Sequence, residues 1–251
     1  MYRDFAEFYD LLTDDVDYAA RTEQLLSLFR QYDRIPTLLL DLACGTGGFA
    51  NEFAAKGISV IGVDRSAEML SHAAENTRKK GQSVLYLCQD AAELDLYGTV
   101  DGAVCCLDSL NHLTDYETFC HAIGRVSLFL EEDRLFIFDL NTVYKHEKVL
   151  GNNVFLREEN GLYCVWENHY DAENRLTQME LDFFEEQPDG SYRRFSDSVT
   201  ERVYTREEIV AALEKNHLAL ETCLEELTLR PPTAETQRII YVARKKAVAA
   251  D

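Results

Sequence analysis

Asp41, Gly45 and Gly47 lie within the stretch Leu38-Leu39-Leu40-Asp41-Leu42-Ala43-Cys44-Gly45-Thr46-Gly47-Gly48-Phe49-Ala50. An apolar run there stops near an acid and turns through closely spaced glycines into a helix-like segment. Glycine suits a backbone that must take positive φ or come within contact of a ligand, and the amides that open a helix then face that ligand. Gly45, Gly47 and Ala50 also satisfy the G-x-G-x-x-A dinucleotide fingerprint. Asp41 separates the two possibilities, because a carboxylate before the turn repels a pyrophosphate and suits a ligand bearing positive charge. Further acids close further apolar runs. Asp64 follows Val60-Ile61-Gly62-Val63, Asp90 lies in Gln89-Asp90-Ala91, and Asp108 opens Asp108-Ser109-Leu110-Asn111-His112-Leu113. A carboxylate at Asp64 can accept both hydroxyls of a ribose, a device that dinucleotide enzymes share. His112 titrates near neutrality when unperturbed and is a candidate general base; a structural histidine bonded to nearby backbone is the competing reading. Asn141, after Phe138-Asp139-Leu140, is a candidate acceptor contact.

These residues need an alternating scaffold to bring them together. Leu38–Leu42, Ile58–Val63, Val84–Cys88, Val100–Leu107 and Arg134–Leu140 read as strands. Helices are expected over Gly47–Lys56, from a Ser66 cap to about Lys80, and over Thr114–Leu130. The strands are nearly continuous apolar runs, as in a parallel sheet covered on both faces, and the alternation implies a doubly wound α/β sheet with right-handed crossovers. Residues 1–36 read as a helical cap in which Phe5, Phe8, Tyr9, Leu12, Leu25, Leu26, Leu28 and Phe29 recur at helical spacing. Residues 37–150 and 205–246 then form the α/β domain. Between them, 151–204 reads as an antiparallel insertion, either an acceptor lid or a dimer surface. Its strands Val154–Leu156, Leu162–Tyr170, Arg175–Glu186 and Tyr192–Tyr204 are separated by turn signals such as Pro188-Asp189-Gly190. Thr205 and Glu208 form a capping box for a returning helix. Strands near Ala219–Glu226 and Arg238–Arg244 follow, with a frayed tail from Lys245.

With the glycine turn and the strand-end acids in place, residues 38–142 resemble the class I S-adenosylmethionine-dependent methyltransferases. The first motif of that family is acid-x-Gly-x-Gly-x-Gly; Asp41, Gly45 and Gly47 match it, and Ala43 replaces the first glycine. S-adenosylmethionine carries an ammonium and a sulfonium and no phosphate, which suits Asp41. The resemblance implies a seven-stranded, mostly parallel Rossmann-like sheet and S-adenosylmethionine as cofactor. It also implies Asp64 on the ribose with Arg65 beside it, Asp90 on the adenine amino group with the Ala91 backbone near the ring, and Met69 against the adenine face. Ala43 and Cys44 would also border the cofactor, and Asp108 would touch its methionine part, over which Tyr9 of Phe8-Tyr9-Asp10 would close. The implied reaction passes a methyl group to N, O or C of a small-molecule acceptor, with His112 as the base where one is needed. Asn111, Asn141, Arg157, Trp166 and Arg202 are acceptor-side candidates, among other aromatic and basic residues of the insertion (Tyr163, His169, Tyr170). Arg157 and Arg202 would suit an anionic acceptor. As alternating strand residues, most of this set could equally be structural. Two rival readings are an NAD(P)-dependent oxidoreductase and a non-catalytic S-adenosylmethionine-binding regulatory protein. The first leaves Asp41 and Asp90 unexplained.

Composition narrows the field. The 251 residues carry a formal net charge of −20, which repels phosphate backbones and anionic membranes, so neither nucleic acid nor membrane is an expected partner. The start, Met-Tyr-Arg-Asp-Phe-Ala-Glu, has no signal-peptide pattern. The seven cysteines form no C-x-x-C pair or other metal spacing, and no metal is expected. A cytoplasmic protein with reduced thiols, monomeric or homodimeric, is the expectation.

Overall fold

A computed structural model describes Tyr9, Thr13 and residues 15–159 and 161–247. Phe5, Phe8, Asp10 and Leu12 of the expected N-terminal cap lie outside the described residues.

The main sheet contains seven strands: β1 (Leu38–Leu42), β2 (Ser59–Asp64), β3 (Leu85–Cys88), β4 (Gly102–Cys105), β5 (Leu135–Asn141), β10 (Leu218–Glu225) and β11 (Arg238–Lys245). Their order is β10-β11-β5-β4-β1-β2-β3. The first five run parallel, and β11 runs antiparallel to both β5 and β10. The helices are α1 (Tyr18–Tyr32), α2 (Gly48–Ala55), α3 (Ala67–Lys79), α4 (Tyr116–Phe129) and α5 (Arg206–Lys215). Ser66 caps α3 by accepting from the Met69 amide, and the Thr205–Glu208 capping box opens α5.

Strand alternation sends side chains to two cores. Leu40, Leu42, Phe136 and Phe138 pack with Phe119 and Ile123 of α4. Leu39, Leu135 and Ile137 pack on the other face with Leu28 and Phe29 of α1 and Phe53 of α2.

The expected insertion forms a separate four-stranded antiparallel sheet of β6 (Val154–Glu159), β7 (Leu162–Asp171), β8 (Leu176–Glu186) and β9 (Tyr192–Arg202), paired in that order. Arg175, just before β8, makes two 2.7 Å bonds to the Glu208 carboxylate of α5. Asn111 Nδ2 donates to the Arg202 carbonyl at 2.8 Å. The inserted sheet is thereby fixed against the C-terminal ends of β4 and β5.

Several expected boundaries shift by one to three residues, among them the end of Val154–Leu156, which extends to Glu159, and that of Tyr192–Tyr204, which stops at Arg202. The fourth strand ends at Cys105 because Leu107 and Asp108 take left-handed backbone, φ 56° and 52°. Lys245 is the last residue of β11 rather than the start of a frayed tail, and its amide donates to the Arg134 carbonyl at 2.9 Å.

Candidate active site

The glycine turn is held by its own hydrogen bonds. The Cys44 amide donates to the Val63 carbonyl at 3.0 Å, Gly47 to the Cys44 carbonyl at 2.9 Å, and Gly45 to Asp64 Oδ2 at 2.9 Å. Gly47 has φ 80°, and a Cβ there would overlap the Tyr86 hydroxyl, so only glycine fits. Ala43 occupies left-handed backbone at φ 56°, the conformation a first glycine would relieve.

Above this turn a cavity of about 800 Å³ opens, shared between the ends of the main sheet and the inserted sheet. Its donor-side wall includes Tyr9, Ala43, Gly45, Asp64, Arg65, Met69, Asp90, Ala91, Asp108 and His112. Its roof includes Arg157, Trp166, Met179 and Glu201 of the inserted strands. Asp41, Cys44, Gly47, Asn111, Asn141 and Arg202 do not line it, nor do Tyr163, His169 and Tyr170 of the insertion.

Asp41, Cys44 and Gly47 form the support behind the turn rather than the cavity wall. Alternation explains Asp41: it shares the face of Leu39, which packs under α1 and α2. It is 2% exposed and one carboxylate oxygen, Oδ2, has no hydrogen-bond partner. Burial, reinforced by the nearby charge of Asp64 and opposed by the Ala50 amide, pushes its pKa up to about 7.

Asn111, Asn141 and Arg202 likewise lie outside the cavity lining. Asn111 is fully buried and accepts the Asn141 amide at 2.9 Å. Arg202 donates to the Thr114 carbonyl at 3.2 Å, pairs with Glu208 at 3.3 Å and lies over the Tyr204 ring. The anionic acceptor inferred from Arg157 and Arg202 therefore loses one of its two cations. Arg157 lines the cavity and lies 3.4 Å from Asp15. Trp166 also lines it and donates from its indole nitrogen to Asn168 at 2.7 Å. Of the remaining insertion candidates, Tyr163 bonds Glu158 at 2.8 Å and His169 lies 3.6 Å from Glu167; neither lines the cavity, nor does Tyr170.

Asp64 accepts one amide on each oxygen, from Gly45 and from Ser66, both at 2.9 Å. Each oxygen keeps a second lone pair, so two hydroxyls can still donate to it. Burial raises its pKa. Asp90 accepts the Ala92 amide at 2.8 Å and caps a short 3₁₀ turn, Ala91–Glu93.

Asp108 anchors a network that the sequence did not announce. Its carboxylate pairs with Arg238 at 2.6 Å and accepts from Asn141 Nδ2, also at 2.6 Å. Burial would raise its pKa, but Arg238, Lys145 and His112 outweigh that and hold it well below the carboxylate range. Asp139 receives the Leu107 and Asp108 amides at 2.9 and 2.6 Å, fixing the left-handed turn. Lys145 Nζ donates to Asn141 Oδ1 at 2.9 Å.

Arg238, Lys145 and Glu201 are cavity residues that sequence reasoning missed. Arg238 begins β11, and because β11 is antiparallel its start lies opposite Asn141, at the ligand end of the sheet. The strand-end rule would have found Arg238 had it been applied to the starts of antiparallel strands.

The donor set tests the two cofactor classes. The amides of Cys44, Gly45 and Gly47 are spent within the turn, where a pyrophosphate would need them. Carboxylates at Asp64, Asp90 and Asp108 line the same wall, suiting a ribose, an amino-bearing ring and a net cationic ligand. The residues fit S-adenosylmethionine and do not fit a dinucleotide.

Residues 39–127 match the methyltransferase domain family model. A solved structure described as an S-adenosylmethionine-dependent methyltransferase from Clostridium acetobutylicum ATCC 824 is 32% identical, covers 98% of this chain and 99% of its own, and superposes with a TM-score of 0.88. The YqeM protein of Bacillus subtilis (strain 168) is 28% identical over 98% of this chain and 97% of its own length. A dTDP-3-amino-3,4,6-trideoxy-alpha-D-glucopyranose N,N-dimethyltransferase of Streptomyces venezuelae is 26% identical over 87% of this chain and 91% of its own. Fold, glycine turn and full-length similarity converge: this chain belongs to the class I S-adenosylmethionine-dependent methyltransferases, with S-adenosylmethionine as its cofactor.

Proposed function

We propose that this enzyme methylates a small molecule held between the sheet ends and the inner face of the inserted sheet. The observation that carries this reading is a continuous cavity of about 800 Å³ walled by both. Its volume falls in the range of small-ligand sites. Bound S-adenosylmethionine supplies an already activated methyl group on its sulfonium. The chain's own work is to align the acceptor and exclude water.

On the donor side, Asp64 offers its free lone pairs to the ribose hydroxyls. Asp90 and the Ala91 backbone meet the adenine edge, Met69 packs on the ring, and Tyr9 and Arg65 border the site. Asp41, Cys44 and Gly47 hold the turn from behind. The inserted segment 151–204 acts as the acceptor roof of the α/β domain rather than as a detached module, which the Arg175–Glu208 and Asn111–Arg202 bonds support. The net charge of −20 favours neither nucleic acid nor an anionic membrane as partner. No helix among the described residues is long and apolar enough to cross a membrane, and the seven cysteines are unpaired thiols, which supports a cytoplasmic site of action.

The test is calorimetric titration with S-adenosylhomocysteine and with NAD, joined to a radiolabelled methyl-transfer screen of metabolites. Binding of the first ligand only, with labelled small product, is the expected result. NAD binding, or labelled protein or RNA in place of a small product, would overturn the proposal.

A further inference from the structure

Of the β7, β8 and β9 residues that line the cavity, Cys164, Trp166, Met179, Leu181 and Val199 are uncharged, and Glu201 alone carries a charge. It is 3% exposed. A carboxylate withdrawn from water is costly unless bonded, so its partners define its use. Oε2 accepts from Asn141 Nδ2 at 3.1 Å and lies 3.3 Å from His146 Nε2. His146 is fully buried, and its Nδ1 stands 2.6 Å from Thr177 Oγ1. Thr177 is the cross-strand partner of Glu201 in the β8–β9 register. Oε2 is therefore held by the Asn141 amide, with the His146 ring at ion-pair distance and its Nε2 making no hydrogen bond. The other, Oε1, lies 4.0 Å from His112 Nε2, outside hydrogen-bond range. His112 Nδ1 is buried without a partner.

Asp108, Lys145 and Arg238 also face this carboxylate. Arg238 is paired with Asp108 at 2.6 Å, and Lys145 donates to Asn141 at 2.9 Å. Lys145 keeps further N–H donors and Asp108 lies within hydrogen-bond reach of Glu201, so the gap between Glu201 Oε1 and His112 Nε2 is the place on this wall where a donor nitrogen bridges a carboxylate and an imidazole.

We propose that the acceptor is an amine, and that Glu201 binds its ammonium form beside His112, which takes the proton the nitrogen must lose. This rests on the reading of the cavity as a methyl-transfer site. A nitrogen about 2.9 Å from both Oε1 and Nε2 closes a triangle on their 4.0 Å separation. A neighbouring carboxylate opposes the alkoxide or phenolate an oxygen acceptor approaches, but it favours an ammonium. The amine enters as R–NH₃⁺ and passes one proton to His112 Nε2. Its freed lone pair forms the N–C bond while the S–C bond breaks, the bonding pair staying on sulfur. The product R–NH₂⁺–CH₃ carries its charge against Glu201, and His112 returns its proton to solvent. His146 and Thr177 are positioning residues that act through Glu201.

The experiment presents glucosamine, ethanolamine and glycine, each beside its hydroxyl counterpart (glucose, ethylene glycol, glycolate), to the enzyme with radiolabelled methyl donor. Turnover should be confined to amines. Glu201→Gln, or Glu201→Asp should the first variant fail to fold, should lower kcat/KM for the best amine about tenfold to a hundredfold, with S-adenosylhomocysteine affinity held within about twofold. Thr177→Val should raise KM for the amine, and Thr177→Ser should restore it. Ethylammonium titrated into the protein should shift the His112 imidazole resonances in the parent and not in Glu201→Gln. Turnover of hydroxyl compounds alone, no turnover of any of these amines by a protein that binds S-adenosylhomocysteine, or parental kinetics in the Glu201 variants would overturn the inference. Failure of the parent to bind S-adenosylhomocysteine would instead overturn the reading of the cavity.

Discussion

Asp64 and Asp41 are two carboxylates of one turn with opposite duties. Asp64 has each oxygen bonded to an amide and lines the cavity. Asp64→Ala should weaken S-adenosylhomocysteine binding by about tenfold to a hundredfold, the scale of hydrogen bonds to a charged group, as read by calorimetry; unchanged affinity would remove Asp64 from the ribose site. Asp41 should affect stability instead. Its folded pKa of about 7 lies above the ordinary value of 3.8, so between those limits the native state holds a proton that the unfolded chain has released. Stability from this group is full below 3.8 and is lost as pH rises to about 7. Asp41→Asn should remove that loss. The difference in unfolding free energy between variant and parent should grow with pH at up to about 1.4 kcal/mol per unit, and a difference independent of pH would refute the assignment. The acid before a glycine turn was legible as a motif. Its target was not, because the two faces of a strand differ by one residue and the sequence does not say which face holds the ligand.

At the scale of elements, the parallel strands could be located because their apolar runs end at acids and their helices begin at recognisable caps, Ser66 and Thr205. The inserted strands were legible through their turns, yet the chemistry on their inner face was not. Trp166 and Arg202 looked equivalent as aromatic or cationic residues of alternating strands. Trp166 lines the cavity, whereas Arg202 ends β9 and is bound to the Thr114 carbonyl and Glu208. Glu201, one residue earlier, had no distinguishing neighbour in sequence; its role depends on Asn141 and His146, far away in the chain. The two substitutions should therefore separate. Trp166→Ala should raise the acceptor KM while leaving S-adenosylhomocysteine affinity nearly unchanged. Arg202→Ala should lower the melting temperature, because it breaks a partly buried ion pair and strips a ring contact. Steady-state kinetics and thermal unfolding on the same preparations decide the matter. A raised acceptor KM in Arg202→Ala at parental stability would return Arg202 to the pocket.

For the whole molecule, charge governs encounter. The chain carries a net charge of −20, and the cavity is edged by Asp15, Glu225, Glu226 and Glu235 as well as the strand-end acids. A field of one sign focused into a cleft raises the local concentration of oppositely charged ligands, and salt screens it. S-adenosylmethionine is net cationic near neutral pH, while its demethylated product has lost the sulfonium charge and is net neutral. The two share every contact except the methyl group and that charge, so comparing them isolates the field. Raising ionic strength from about 20 to about 300 mM shortens the Debye length severalfold. It should weaken S-adenosylmethionine binding several-fold while S-adenosylhomocysteine affinity stays within about twofold. The same asymmetry favours turnover, since the charged donor is drawn in and the neutral product is not retained by the field. Calorimetry of both ligands across that salt range is the measurement. An equal response of the two would mean that internal pairs, such as Arg238 with Asp108, have already cancelled the field where the cofactor sits.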